Sequence, residues 1–192
     1  MERKIIVAED DSLIRMDIVE MLKDNGYSVL AEARDGLEAV EKTLKYQPEI
    51  LLLDLKMPYL LGTNVAKMLK EKSYQGCVIM LTAYSSEDYI KEATLNNVSG
   101  YLIKPLDEKI LISQIELLYK SHSEKQKLKK ELEKSNQKLK ERKNIEKAKG
   151  ILMKKYSLDE NEAYSKLRKV SMEKRMEISM LAEIVNATGD FV

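Results

Sequence analysis

Residues able to do chemistry stand at the ends of four short apolar runs. Ile50 to Leu53 closes in Asp54, and Lys4 to Ala8 closes in Glu9-Asp10-Asp11. Cys77 to Leu81 closes in Thr82, and Gly100 to Ile103 closes in Lys104-Pro105. Taken alone, Asp54 reads as a strand-terminating aspartate that starts a turn. Brought into one cleft, Asp10, Asp11 and Asp54 would repel one another and be costly to keep ionised without a cation. All-oxygen ligation, with positions left open for water and phosphate, suits Mg2+. Such a metal would neutralise an incoming phosphoryl group and hold it in line with Asp54 as nucleophile. The Lys104 ammonium and the Thr82 hydroxyl are suited to bind the oxygens of the resulting acyl phosphate. The plainer alternative is an acidic cleft with an ion-pairing lysine.

These residues meet only if the chain folds so as to align the run ends. Ile50 to Leu53 is too short for a helix and lies between Pro48 and Pro58, so it reads as a strand buried on both faces. Lys4 to Ala8, Ser28 to Ala33, Cys77 to Thr82 and Gly100 to Ile103 read as further strands. Between them lie helical patterns: one capped by Ser12 and stopped at Asn25-Gly26, one entered through Asp35-Gly36, and one carrying Val65, Met68 and Leu69. A fourth is expected from about Ser86 to Asn96, and a fifth begins near Asp107 with Leu111, Ile115 and Leu118. Five strands alternating with five helices predict a doubly wound parallel sheet, an α/β fold. With strand order 2-1-3-4-5, the carboxyl ends of strands 1, 3, 4 and 5 lie side by side and gather Asp10, Asp11, Asp54, Thr82 and Lys104.

The 192 residues suffice for one large or two small domains. A net charge of +1 conceals an asymmetry. Residues 1–120 carry 15 Lys and Arg against 20 Asp and Glu, whereas residues 121–192 carry 18 against 12. An acidic half followed by a basic half suggests two tasks, the second involving a polyanion. Cys77 is the sole cysteine, which excludes a disulfide within the chain and argues against a zinc site. It reads as a small buried hydrophobe. No apolar run approaches a membrane span and no signal peptide is evident, so a cytoplasmic location with no membrane partner is expected.

Asp10-Asp11, Asp54 followed by Met57-Pro58 and Gly62, Thr82-Ala83 and Lys104-Pro105 resemble the receiver domain of two-component response regulators, over residues 1–120. The resemblance implies a flavodoxin-like fold and a sensor histidine kinase as phosphodonor. It implies a phosphoacceptor rather than an enzyme, with Mg2+ held by Asp11, Asp54 and the Lys56 carbonyl and Asp10 acting through water. It also implies a switch in which Thr82 moves toward the phosphoryl group and Tyr101 turns inward. Lys56 departs from the small or polar side chain common there, but the position acts through its backbone.

From Ser121 to Lys140 the chain contains no Gly or Pro and only sparse leucines. Leu111, Ile115, Leu118, Leu128, Leu132 and Leu139 trace a broken heptad, the pattern of a marginal coiled coil or of a solvated helical spacer. His122, the only histidine, reads as a surface residue of this helix. Beyond it three short helices are expected, with faces Ile145, Ala148, Leu152; Ala163, Leu167, Val170; and Ile178, Leu181, Ala182, Val185. Three helices of that size bury little and are expected to lean on the preceding coil or on a dimer. Gly150 inside a helix costs about 1 kcal/mol relative to Ala, which points to close approach of another backbone. Arg142, Lys143, Lys147, Lys149, Arg168 and Lys169 crowd this part, and charge alone leaves a solvated face and a nucleic-acid surface both open.

The run from Glu141 to Met153, with Glu162-Ala163-Tyr164, Leu167-Arg168 and Met172, resembles the ANTAR domain of transcription antiterminators, over residues 135–190. Ser171 stands where that pattern has Ala. Receiver and ANTAR together resemble the AmiR, NasR and EutV family, with the EutV members, of ethanolamine utilisation, nearest because their receiver is phosphorylatable. The resemblance implies binding to paired stem-loops in nascent mRNA leaders, which keeps an overlapping terminator hairpin from forming. A homodimer on phosphorylation is expected, with Arg142, Lys143, Lys147, Lys149 and Arg168 on the RNA and Tyr164 either stacked on a loop base or packed against the first helix. The expected layout is therefore a receiver at 1–120, a helical or coiled-coil linker at 121–140, and a three-helix bundle at 135–190. The alternatives for the output are DNA binding, against which stands the lack of a helix-turn-helix with a glycine turn, and a protein-interaction module.

Overall fold

The apolar runs become strands because both of their faces are covered. A computed structural model of the chain describes residues 2–83 and 98–191, so the helix expected from about Ser86 to Asn96 lies outside the described residues. The chain divides into two units, Met1–Gln126 and Lys127–Val192.

In the first unit, strands β1 (Lys4–Ala8), β2 (Ser28–Ala33), β3 (Ile50–Asp54), β4 (Cys77–Thr82) and β5 (Gly100–Ile103) form one parallel sheet in the order β2-β1-β3-β4-β5. Helices α1 (Ser12–Asp24), α2 (Gly36–Tyr46) and α3 (Gly62–Glu71) connect strands, and α4 (Glu108–Tyr156) follows β5. Successive residues of β1, β3 and β4 point to opposite faces and find a core on each. Ile6, Leu51, Leu53, Val78 and Met80 pack toward Ala39, Val65 and Leu69. Ile5, Val7, Ile50, Leu52, Ile79 and Leu81 pack toward Ile18, Val19, Leu22, Leu111 and Ile115. Cys77 joins the second core fully buried, as expected, and burial pushes its thiol up to about 11.

Polar contacts fasten the opening turns of α4 to the strand starts. The Tyr27 hydroxyl donates to Glu116 (2.6 Å), which also pairs with Arg3, and the Arg3 guanidinium lies 4.5 Å over the Tyr119 ring. The Tyr119 hydroxyl donates to Glu49 (2.8 Å). His122 is half-buried rather than a surface residue. Its Nε2 lies 2.9 Å from the Gln75 carbonyl, which can only accept, so Nδ1, 3.0 Å from Ser99 Oγ, is the acceptor in the neutral ring.

α4 continues without interruption through the linker expected at 121–140, consistent with the lack of Gly and Pro there. In the second unit its last turns, α5 (Glu160–Glu173) and α6 (Ile178–Thr188) enclose a small core. Ala148, Leu152, Ala163, Leu167, Leu181, Ala182 and Val185 form it, with Ile145, Val170 and Phe191 at its margin. Asp159 and Glu162 make a capping box at the start of α5. Ser171, where the ANTAR pattern has Ala, is buried. Gly150 departs from expectation: a Cβ built there meets nothing of the described residues within 4 Å. Among the described residues no helix is long and apolar enough to cross a membrane.

Candidate functional site

Asp54 ends β3 between β1 and β4, and the sheet register sets Ala8 beside Leu53 and Leu81 beside Asp54. The residue is only 5% exposed. Oδ1 lies 2.8 Å from Lys104 Nζ, and Oδ2 accepts from the Lys56 N–H at 3.0 Å. Behind it the chain turns so tightly that a Cβ on Gly62 would lie 2.3 Å from the Asp54 carbonyl oxygen, so only glycine permits α3 to start there. Lys104 follows β5, with its N–H donating to the Thr82 carbonyl at 2.8 Å, and Thr82 is itself buried at the end of β4. The order of the strand ends thus brings Asp54, Thr82 and Lys104 together. Tyr101, second in β5, is half-buried against the core on the α2 and α3 side.

The acidic pair differs by one residue from the expectation. Glu9, Asp10 and Asp54 each offer a carboxylate oxygen, and these lie within 4.8 Å of one another. Asp11 stands outside that group. Its Oδ1 accepts from the N–H groups of Leu13 (2.9 Å) and Ile14 (3.2 Å), which makes it the N-cap of α1 in place of Ser12. The physical reason is that α1 begins immediately at Ser12, so its unpaired N–H groups claim the nearest carboxylate. Arg15 holds the preceding peptides, donating to the carbonyls of Glu9 (2.7 Å) and Asp10 (3.4 Å).

Glu9 is 1% exposed, and apart from Lys104 Nζ at 2.6 Å its Oε2 has no hydrogen-bond partner. Burial raises its pKa, with Asp54 nearby adding to the rise and Lys104 opposing it. Burial alone would lower the pKa of Lys104, but Asp54 and Glu9 outweigh it and hold the ammonium above its usual value. With all groups ionised, one lysine faces three carboxylates. An all-oxygen donor set with residual negative charge fits a hard divalent cation such as Mg2+.

The basic residues of the second unit separate into two kinds. Arg142, Lys143 and Lys147 are exposed on α4, and Tyr164 (42% exposed) and Arg168 are exposed one turn apart on α5. Lys149 is not available. It is 7% exposed, its Nζ lies 2.8 Å from Glu146 and 2.7 Å from Glu160, and these carboxylates raise its pKa. Its position beside Ala148 turns it toward the first turn of α5, where it serves as a clasp between helices. Lys166 Nζ sits 3.5 Å from the Tyr156 ring centroid, and the Tyr156 hydroxyl and Lys155 both bond Asp190, which closes the C-terminal segment on α4.

Residues 5–116 match the response regulator receiver domain family, and residues 133–185 match the ANTAR domain. Over 186 residues the chain is 35% identical to the transcriptional regulatory protein PdtaR of Mycobacterium tuberculosis, covering 97% of this chain and 90% of that one. It is 30% identical over 105 residues to the chemotaxis protein CheY of Bacillus subtilis, covering 55% of this chain and 88% of that one. A solved structure of a DNA-binding response regulator of the LuxR family from Staphylococcus aureus superposes with a TM-score of 0.58 at 28% identity. That match covers 61% of this chain and 98% of that one.

Proposed function

The chain belongs to the response regulators, with a receiver domain and an ANTAR output, and from that premise we propose that it is a phosphorylation-activated antiterminator acting on nascent mRNA. Receiver domains are phosphoacceptors that work with histidine kinases, and ANTAR domains bind RNA. The observation that carries the reading is the Asp54 carboxylate, buried and held by Lys104 and the Lys56 N–H in an acidic cleft, in one chain with an ANTAR domain.

In this reading an Asp54 oxygen attacks the phosphorus of a phosphohistidine on the partner kinase. The O–P bond forms as the P–N bond breaks, and the electron pair of that bond leaves on the imidazole nitrogen. Glu9, Asp10, Asp54 and the Lys56 carbonyl are the groups that would hold Mg2+, which supplies charge neutralisation at the phosphoryl oxygens. Lys104 exchanges its contact with the Asp54 carboxylate for one with a phosphoryl oxygen. Thr82 moves to a second such oxygen while Tyr101 turns inward, and the exposed Leu128, Leu132 and Leu139 of α4 pair with a second copy. Arg142, Lys143, Lys147, Tyr164 and Arg168 then engage paired stem-loops, and a terminator hairpin overlapping them fails to form.

The test is incubation with acetyl phosphate and Mg2+, followed by mass measurement and binding to a labelled two-hairpin RNA. Wild type should gain one phosphoryl group and bind more tightly, whereas Asp54→Asn should do neither. Labelling of Asp54→Asn to the wild-type extent would refute the site. Tighter binding of a duplex DNA than of the RNA would favour the DNA-binding alternative.

A further inference from the structure

Gly150 lies in the middle of a helix with open space where a side chain would be, and nothing among the described residues requires a glycine there. Its surroundings indicate what does. Residues three or four apart on a helix share a face. Lys140, Lys143, Lys147, Gly150 and Lys154 follow one another at spacings of three, four, three and four, so they form one stripe, on the side of α4 opposite the buried Ala148 and Leu152. All four lysines are exposed, and no carboxylate of the described residues pairs with any of them. The nearest acidic neighbour, Glu146, is turned to Lys149. The stripe runs about 21 Å along the helix, at about 1.5 Å per residue.

We propose that this stripe is a phosphate-backbone track for RNA, with Gly150 the point at which the backbone comes closest to the helix. The inference rests on the RNA-binding reading above and extends it to Lys140, Gly150 and Lys154. Four unopposed cations around a bare stretch of helix are complementary to a polyanion, and a missing side chain allows a phosphate or ribose to reach the helix surface itself. A second copy of the chain is a poor occupant for the same stripe. A parallel pair would set each lysine against its own counterpart. The apolar residues offered for pairing, Leu128, Leu132 and Leu139, lie before the densest part of the stripe.

The test uses the full chain, phosphorylated with acetyl phosphate, and a synthetic RNA of two short hairpins joined by a single-stranded spacer. Gly150→Ala and Gly150→Leu should fold with thermal midpoints at or above wild type, since leucine and alanine both favour helix over glycine and the space is open. Gly150→Leu should nonetheless bind the RNA at least tenfold more weakly, with Gly150→Ala in between. Lys140→Ala and Lys154→Ala should each lower the slope of log affinity against log salt by about 0.7 to 0.9, and Lys129→Ala should not. Wild-type affinity in Gly150→Leu overturns the inference, as does an equal loss in the Lys129→Ala control. The same holds if Gly150→Leu alters self-association and leaves RNA binding intact, or if its loss is as large on a duplex DNA of equal length. Failure of the wild type to bind RNA in any state instead overturns the reading on which the inference stands.

Discussion

At the scale of single residues, the acidic cleft shows how two uses of one side chain become confused. Glu9, Asp10 and Asp11 are three consecutive acids, and an aspartate is as well suited to cap a helix as to hold a cation. Which of them faces the cleft depends on where β1 stops and α1 starts, a boundary the apolar pattern locates only to within a residue or two. Asp54, Thr82 and Lys104 were legible because each directly follows an apolar run, whereas Glu9, hidden among its acidic neighbours, was not. The two aspartates should therefore differ when replaced. Asp11→Ala should lower stability by about 1 kcal/mol, as lost caps do, and leave acetyl-phosphate labelling intact. Asp10→Asn should unfold like wild type but need at least tenfold more Mg2+ for the same labelling rate. Chemical denaturation paired with a Mg2+ titration separates the cases, and the reverse pattern would return Asp11 to the cleft. Cys77 provides a further check: with its thiol pushed up to about 11 and no exposure, it should resist alkylation at pH 8 in the native protein and react promptly in denaturant.

Helices and strands were easier to read than the contacts between them. The parallel sheet and its order follow from apolar runs alternating with helical patterns, and the unbroken α4 follows from a stretch without Gly or Pro. Partners far apart in sequence left no such trace. Nothing in the local pattern marks His122 as bound to Gln75 and Ser99, or Lys149 as a clasp to Glu160 across the α4–α5 turn. Lys149→Gln should accordingly lower the thermal midpoint of the second unit while leaving the salt dependence of RNA binding unchanged. A slope reduced by about 0.7 would instead make the ammonium a phosphate contact. On α2, Lys42 and then Arg34 hold the Glu38 carboxyl at about 2, below its usual 4.5. A lowered pKa contributes stability that is present above pH 4.5 and disappears as pH falls toward 2. Glu38→Gln should flatten the loss of stability across that acid window, and a pH profile parallel to wild type would exclude the contribution.

For the whole molecule, the sequence already divided into an acidic part and a basic part, and the receiver and ANTAR matches fall on those parts. The proposed self-association is a property that neither part would reveal alone. Leu128, Leu132 and Leu139 are each more than half exposed, so replacing one removes little packing within the chain. Leu132→Glu should fold with an unchanged thermal midpoint and fail to dimerise when phosphorylated, whereas wild type should shift toward dimer in sedimentation. Equal dimer content in the two proteins would place the contact elsewhere.

The lysine-rich course of α4 from Lys125 to Lys140 has a further consequence. Its seven lysines are all potential tryptic sites, and residues 127–140 are exposed throughout, yet the backbone there is helical and must open locally before a protease can seat it. Where reclosing is fast, the cutting rate reports the fraction of time the helix is open. A loop between the two units would be severed at much the same rate in every state. This connection instead carries its own gauge: digestion should slow whenever a signal, a partner copy or bound RNA quietens the helix, with no label attached to the protein.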